Sequence, residues 1–167
     1  MATYASIVEN LAARFRSQKE TAEKAIAQLG DEQLRIPLDE NTNSVAVMMK
    51  HMAGNLRSRF TDFLTSDGEK PDRDRDSEFV DGFKGRADCM AFWEAGWACL
   101  FDALAHLTDA DLGRTVMIRG EPHTVLDALL RALAHQSYHT GQIVQLARYL
   151  AKEKWNTITI PRRRVQR

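Results

Sequence analysis

Four long stretches of this chain repeat their apolar residues at intervals of three and four, and a chain patterned that way has to pack helix against helix. The first runs from about Tyr4 to Leu29 through Ile7, Val8, Leu11, Phe15, Ala22, Ile26 and Leu29, with Gly30 ending it and Pro37 beyond. The second opens at Asn43 or Ser44, either of which can cap a helix. It carries Val45, Met48, Met49, Met52, Leu56, Phe60 and Phe63 before fading at Thr65-Ser66-Asp67-Gly68. The third spans about Arg86 to Leu107, with Cys89, Trp93, Trp97, Leu100, Leu104 and Leu107 along one face. The fourth starts after Thr124, with Asp127 in the capping-box position, and continues to about Glu153.

What joins these stretches differs in character. Residues 67–82 carry ten charged side chains together with Gly68, Pro71 and Gly82, which predicts a solvated surface crossover. The alternative, a carboxylate cation site, is the weaker reading there, because the pattern lacks the glycine and the terminal Glu of a calcium loop. Thr115-Val116-Met117-Ile118-Arg119 followed by Gly120-Glu121 predicts a short extended excursion or small hairpin. The expected architecture is therefore all-α, a four-helix bundle with a long crossover between helices 2 and 3 and a short extended segment before helix 4. One domain covering 1–167 is expected, its residues 155–167 forming an extended basic tail that ends in Arg162-Arg163-Arg164-Val165-Gln166-Arg167.

Composition narrows the function classes. Lys plus Arg and Asp plus Glu number 23 each, so no net basic field exists to hold a polyanion, and nucleic acid is not an expected partner. No apolar run approaches the ~20 residues that span a bilayer. Met1 to Glu20 interleaves Glu9, Arg14, Arg16 and Lys19 with its apolar residues and does not read as a signal peptide. Cys89 and Cys99, ten residues apart on one helix, would stand about 15 Å from each other, too far for a disulfide. Two reduced thiols suit a cytoplasmic protein.

The histidines carry the chemistry. His135 and His139 are four residues apart and stack on one face of the fourth helix. The spacing places them on the apolar line Leu129, Ala132, His135, His139, Ile143, Leu146, where unpartnered imidazoles would be costly. A metal ion satisfies both, and such a pair is a familiar helical half-site. His51, at the edge of the apolar face of the second helix, is the third candidate, and nearby Gly54 is expected to let a neighbouring backbone come close. His106, at the end of the third helix, and His123, beside Pro122, read as structural or surface residues.

The segments Ser44-Val45-Ala46-Val47-Met48-Met49-Lys50-His51-Met52-Ala53-Gly54-Asn55 and Leu133-Ala134-His135-Gln136-Ser137-Tyr138-His139-Thr140-Gly141-Gln142-Ile143 resemble the DinB-like (DinB/YfiT-like) superfamily of metalloenzymes. One histidine on helix 2 is followed by H-x-x-x-H and then G-Q-I on helix 4, and the resemblance extends over nearly the whole chain. It suits an uncharacterised bacterial branch. The resemblance implies an up-down-down-up bundle, usually a homodimer, with His51, His135 and His139 holding a divalent ion. Nickel or zinc is the first expectation, with iron or manganese as further ones. Relatives include transferases and isomerases that use low-molecular-weight thiols, so such a thiol is an expected co-substrate.

Three neutral histidines leave an ion's charge uncompensated and a coordination position open, which is the arrangement of a reactive site rather than a closed structural one. Asn55, one turn after His51, and Gln142, three residues after His139, are candidates for orienting ligands or substrate. Tyr138 reads as ordinary packing, and no general base is identified. A Ser-His-Asp reading around Ser137 fails because adjacent helix positions do not face each other. The expectation is a metal-dependent enzyme of the thiol-transferase or hydrolase type acting on a small molecule. Its alternative is a non-catalytic, metal-stabilised stress-response or interaction module.

Overall fold

A computed structural model describes residues 5–161. They are mostly helical: four α-helices, α1 (Ile7–Ile26), α2 (Val45–Phe60), α3 (Arg86–Ala105) and α4 (Val125–Ala151), and a two-stranded sheet of β1 (Thr115–Ile118) and β2 (Glu121–Thr124). The basic stretch from Arg162 onward lies outside the described residues.

Local chemistry sets the helix ends. Ser6 caps α1 reciprocally with Glu9, so the helix begins after it; Tyr4 lies outside the described residues. Beyond Ile26 the chain tightens, and the Leu29 N–H reaches back three residues to the Ile26 carbonyl. The Ser44 hydroxyl accepts from the Val47 N–H and starts α2. That helix ends at Phe60, two residues before the left-handed Asp62 (φ 49°). Phe63 still reaches the core, although it is no longer helical. Thr124 accepts from the Asp127 N–H at the head of α4, while the Asp127 carboxylate accepts instead from His123 Nδ1 at 2.7 Å. His106 caps the end of α3 and donates to the Asp102 carbonyl.

The helices pair as α2 on α3 and α1 on α4, with further contact of α2 on α4 and of α1 on α3. One contiguous apolar core draws on all four, with Phe15, Met49, Met52, Leu56, Trp93, Trp97, Leu129 and Ile143 fully enclosed. Helix α2 is buried on nearly every side, because α3, α4, the 3₁₀ turn Glu32–Arg35 and the 3₁₀ turn Asp76–Phe79 all pack on it. Its closest approach is to α3: a Cβ built on Gly96 would stand 2.5 Å from the Ala53 Cα. The Trp93 indole crosses from α3 to donate to Glu23 of α1 at 3.0 Å.

The hairpin forms as its sequence predicts. Arg119 (φ 57°) and Gly120 (φ 76°) make the tight two-residue turn between β1 and β2, which suits the right-handed twist of a strand pair. Asp67 holds that turn by accepting from the N–H groups of Arg119 and Gly120, at 2.9 and 2.7 Å. After α4 the chain docks before it reaches the basic stretch. Gln28, two residues beyond α1, exchanges two hydrogen bonds with the Asn156 backbone, and Trp155 and Ile158 pack against the core. No helix among the described residues is long and apolar enough to cross a membrane. Cys89 and Cys99 are both free thiols.

Candidate metal centre

The fully buried line of α4 runs through Ala132, Gln136, Thr140, Ile143 and Ala147. His135 and His139 sit half-buried beside it, rather than on it as their spacing predicts. Intervals of three and four admit both lines, and only the position of α1 chooses between them, since α4 turns its main face to α1 and a flank to α2. That flank is where His51 waits, 5% exposed on α2.

The three imidazoles converge. One nitrogen from each of His51, His135 and His139 lies within 4.8 Å of the others, so the set could hold a metal ion. Ring centroids are 5.1 Å apart for His51 and His135, 5.0 Å for His51 and His139, and 4.6 Å for the α4 pair. His51 Nε2 and His135 Nε2 stand 3.1 Å apart. Two nitrogens bound to one ion at about 2.05 Å are separated by roughly 2.9 Å at a right angle and roughly 3.3 Å at the tetrahedral angle, and the observed spacing falls between.

The far side of two rings is already partnered. His51 Nδ1 lies 2.9 Å from Glu78 Oε2, and His139 Nδ1 lies 2.7 Å from Gln142 Oε1. Both oxygens can only accept, so each Nδ1 carries a proton, and in the neutral ring this leaves the lone pair on Nε2. Phe79 stacks on the His51 ring at 4.7 Å, and Tyr138 meets His139 edge-on at 5.0 Å while remaining largely exposed itself. Of the two residues that sequence nominates as orienting groups, Gln142 reaches a histidine. Asn55 bonds to none of the three among the described residues.

Glu78 was not expected. It belongs to the charged connector, which by composition should be solvated, yet its side chain is 6% exposed and that of Arg73 is 5%. Arg73 clasps it with Nε on Oε1 at 2.8 Å and Nη2 on Oε2 at 2.9 Å. Charge runs read as hydrated because single charges are costly to bury, but opposite charges within one run can bury each other. The only hint in the sequence is that Glu78 is followed at once by Phe79 and Val80. Gly54 also has a different use from the one expected. A Cβ there would meet Glu78 Oε1 at 2.5 Å, so the glycine makes room for a carboxylate, and the close backbone contact belongs to Gly96.

Burial, first, pushes the His135 pKa from its ordinary 6.5 down to about 3, and repulsion from the neighbouring histidines adds to this. His139 is lowered as well, burial outweighing its bond to Gln142. Burial works to raise Glu78, but the hydrogen bonds from His51 and Arg73 win and hold it below the usual carboxylate value. At neutral pH His135 and His139 are therefore neutral imidazoles, the form that binds metals, and Glu78 is an ionised carboxylate. Unfolded histidines take up protons near pH 6.5 whereas folded His135 refuses them until about 3, so the metal-free protein loses stability as pH falls through that window. The depressed Glu78 acts with the same sign below its ordinary 4.5. Denaturant melts in chelator should be flat from pH 8 to 7 and decline below about 6.5; a midpoint that rises from pH 7 to 5 would contradict the burial of these rings.

Two clefts flank the centre. One of about 480 Å³ is bordered by Gly54, Arg57, Arg73 and Glu78, and one of about 460 Å³ by Met48, Tyr138 and Gln142. A family model described as "Protein of unknown function (DUF1572)" matches residues 3–164. Neither the curated proteins nor the solved structures yield a match.

Proposed function

The chain belongs to the DUF1572 family, and from that premise we propose that it is a single-domain DinB-like four-helix bundle, with its long crossover between α2 and α3, built to hold one divalent metal ion on His51, His135 and His139. The observation that carries this reading is the convergence of three imidazole nitrogens from two helices, with Nδ1 protons directed outward on His51 and His139. Nickel and zinc suit three neutral nitrogen donors best, ahead of iron or manganese. When bound, a divalent ion supplies Lewis acidity at its open face, acidifying a coordinated water or thiol.

The protein's own residues do the rest. The histidines bind the ion, Gln142 fixes the tautomer of His139, and Phe79 shields one face of His51 from water. The clefts beside Glu78 and Gln142 leave room for a small molecule. We read the site as that of a metal-dependent transferase using a low-molecular-weight thiol, or a hydrolase, working as a homodimer in the cytoplasm. The alternative is a stress-response or interaction module in which the ion only braces α2 against α4.

Purification without chelator, followed by elemental analysis, should find about one nickel or zinc per chain. Titration with Co(II) should give the visible bands of a nitrogen-bound, open-coordinate ion. Protein that neither carries nor takes up stoichiometric metal removes the centre. Turnover of thiol or ester substrates that disappears with chelator separates the enzyme from the module.

A further inference from the structure

The three histidines and Gln142 come from α2 and α4, but the residue that fixes His51 comes from elsewhere. The connector between α2 and α3 sends Glu78 and Phe79, adjacent in its 3₁₀ turn Asp76–Phe79, to the edge and the face of the same ring. The geometry points to Glu78 as a positioning residue for the metal centre: its carboxylate, seated in the space left by Gly54 and clasped by Arg73, holds His51 as the Nδ1–H tautomer with Nε2 aimed at the shared point. This rests on the reading of the three histidines as a metal centre.

Three features make the carboxylate more than a neutral hydrogen-bond acceptor that happens to lie nearby. The first is its charge: three neutral imidazoles do nothing to offset a divalent ion, and an anion bonded to one ligand both offsets it and strengthens that ligand as a donor. The second is rigidity. Arg73 makes two bonds to Glu78 and also reaches Glu69 at 3.2 and 3.4 Å, and Glu69 in turn pairs with Arg59 of α2 and Arg119 of the hairpin turn, each at 3.0 Å. Glu78 is thus tied through alternating charges to two separate elements, and its orientation is set before any ion arrives. The third is the tailored space. Any side chain at position 54 would displace the carboxylate, since its Cβ would stand 2.5 Å from Oε1 and 2.8 Å from Cδ. A salt bridge serving stability alone would not need a vacancy in the middle of a helix, where glycine costs about 1 kcal/mol relative to alanine.

Two variants of the full chain test this from opposite directions. Glu78→Gln removes the charge and keeps the shape. Gly54→Ala keeps every charge, improves the helix and pushes the carboxylate off His51. Zn(II) and Co(II) affinities are read by competition with a chromophoric chelator, and the His51 tautomer by ¹⁵N NMR of the metal-free protein, with circular dichroism to confirm folding. Wild type should show His51 protonated on Nδ1. Both variants should bind one ion with affinity lowered about 10- to 100-fold, and Gly54→Ala should lose the tautomer bias even though no ligand has changed. Gly54→Ala remains informative if Glu78→Gln fails to fold. Wild-type affinity in folded Gly54→Ala, or an Nε2–H tautomer of His51 in the parent protein, overturns the assignment while leaving the metal centre intact. A parent protein that binds neither ion removes both.

Discussion

His135→Ala should lose the metal and keep the fold. Structural zinc sites hold their ion by about 10–16 kcal/mol over four ligands, so one imidazole is worth roughly 2.5–4 kcal/mol and its loss lowers affinity on the order of 100- to 1000-fold. Position 135 is half-buried at the edge of α4, and alanine is the best helix former, so little structure depends on the ring itself. The metal-free proteins should therefore melt close together near neutral pH. Below about pH 6.5 the variant should melt higher, because it no longer carries an imidazole whose protonation is suppressed to about 3 in the folded state. With nickel or zinc at a hundred times the parent's dissociation constant the order reverses. Binding then stabilises the parent by about 2.7 kcal/mol, worth roughly 5–10 °C in a chain this long, and the variant gains almost nothing. A His135→Ala protein that retains stoichiometric metal, or whose melting responds to metal as the parent's does, refutes the site.

Gly96→Ala should destabilise the protein by about 2 kcal/mol, lowering the melting temperature by roughly 4–8 °C. Taken alone, the change favours folding, since glycine inside a helix costs about 1 kcal/mol relative to alanine. Here the added methyl would stand 2.5 Å from the Cα, 2.6 Å from the Cβ and 2.7 Å from the carbonyl oxygen of Ala53. Those atoms are the backbone and Cβ of Ala53 in α2 and cannot rotate aside, so α2 and α3 have to separate at this contact. Overpacking of that kind costs about 1–3 kcal/mol or more. Gly141→Ala in α4 is the internal control: nothing lies within 4 Å of its added methyl, and it should gain about 0.5–1 kcal/mol. Equal thermal shifts for the two variants would mean that the α2–α3 contact is looser than described. Because α2 carries His51, a loosened Gly96 variant should also bind metal more weakly.

The sequence by itself determined what depends on neighbours within a turn or two. The helical stretches, a cap at Asn43 or Ser44 and one at Thr124, the strand pair around Arg119-Gly120 and the stacking of His135 with His139 all follow from contacts between residues no more than about ten apart. Such signals are written locally, because capping, periodicity and turn conformation are short-range effects. That His51 would join the α4 pair came from pattern and resemblance together, and the placement of all three within 4.8 Å agrees with it.

What only the tertiary structure decided is every pairing that spans a long stretch of chain. Spacing allowed the core line of α4 to pass through the histidines or through Gln136 and Thr140; the seat of α1 decided for the latter. Counting charges made residues 67–82 a solvated loop, because composition records how many charges a segment has and not which of them meet. Once Arg73 lies between Glu69 and Glu78, burial becomes affordable, and a carboxylate 27 positions away becomes the neighbour of His51. The same holds for glycine. Its missing Cβ is visible at positions 54 and 96 alike, but whether a carboxylate or a helix backbone fills the space is set by how α2, α3 and the connector pack, which no local pattern encodes.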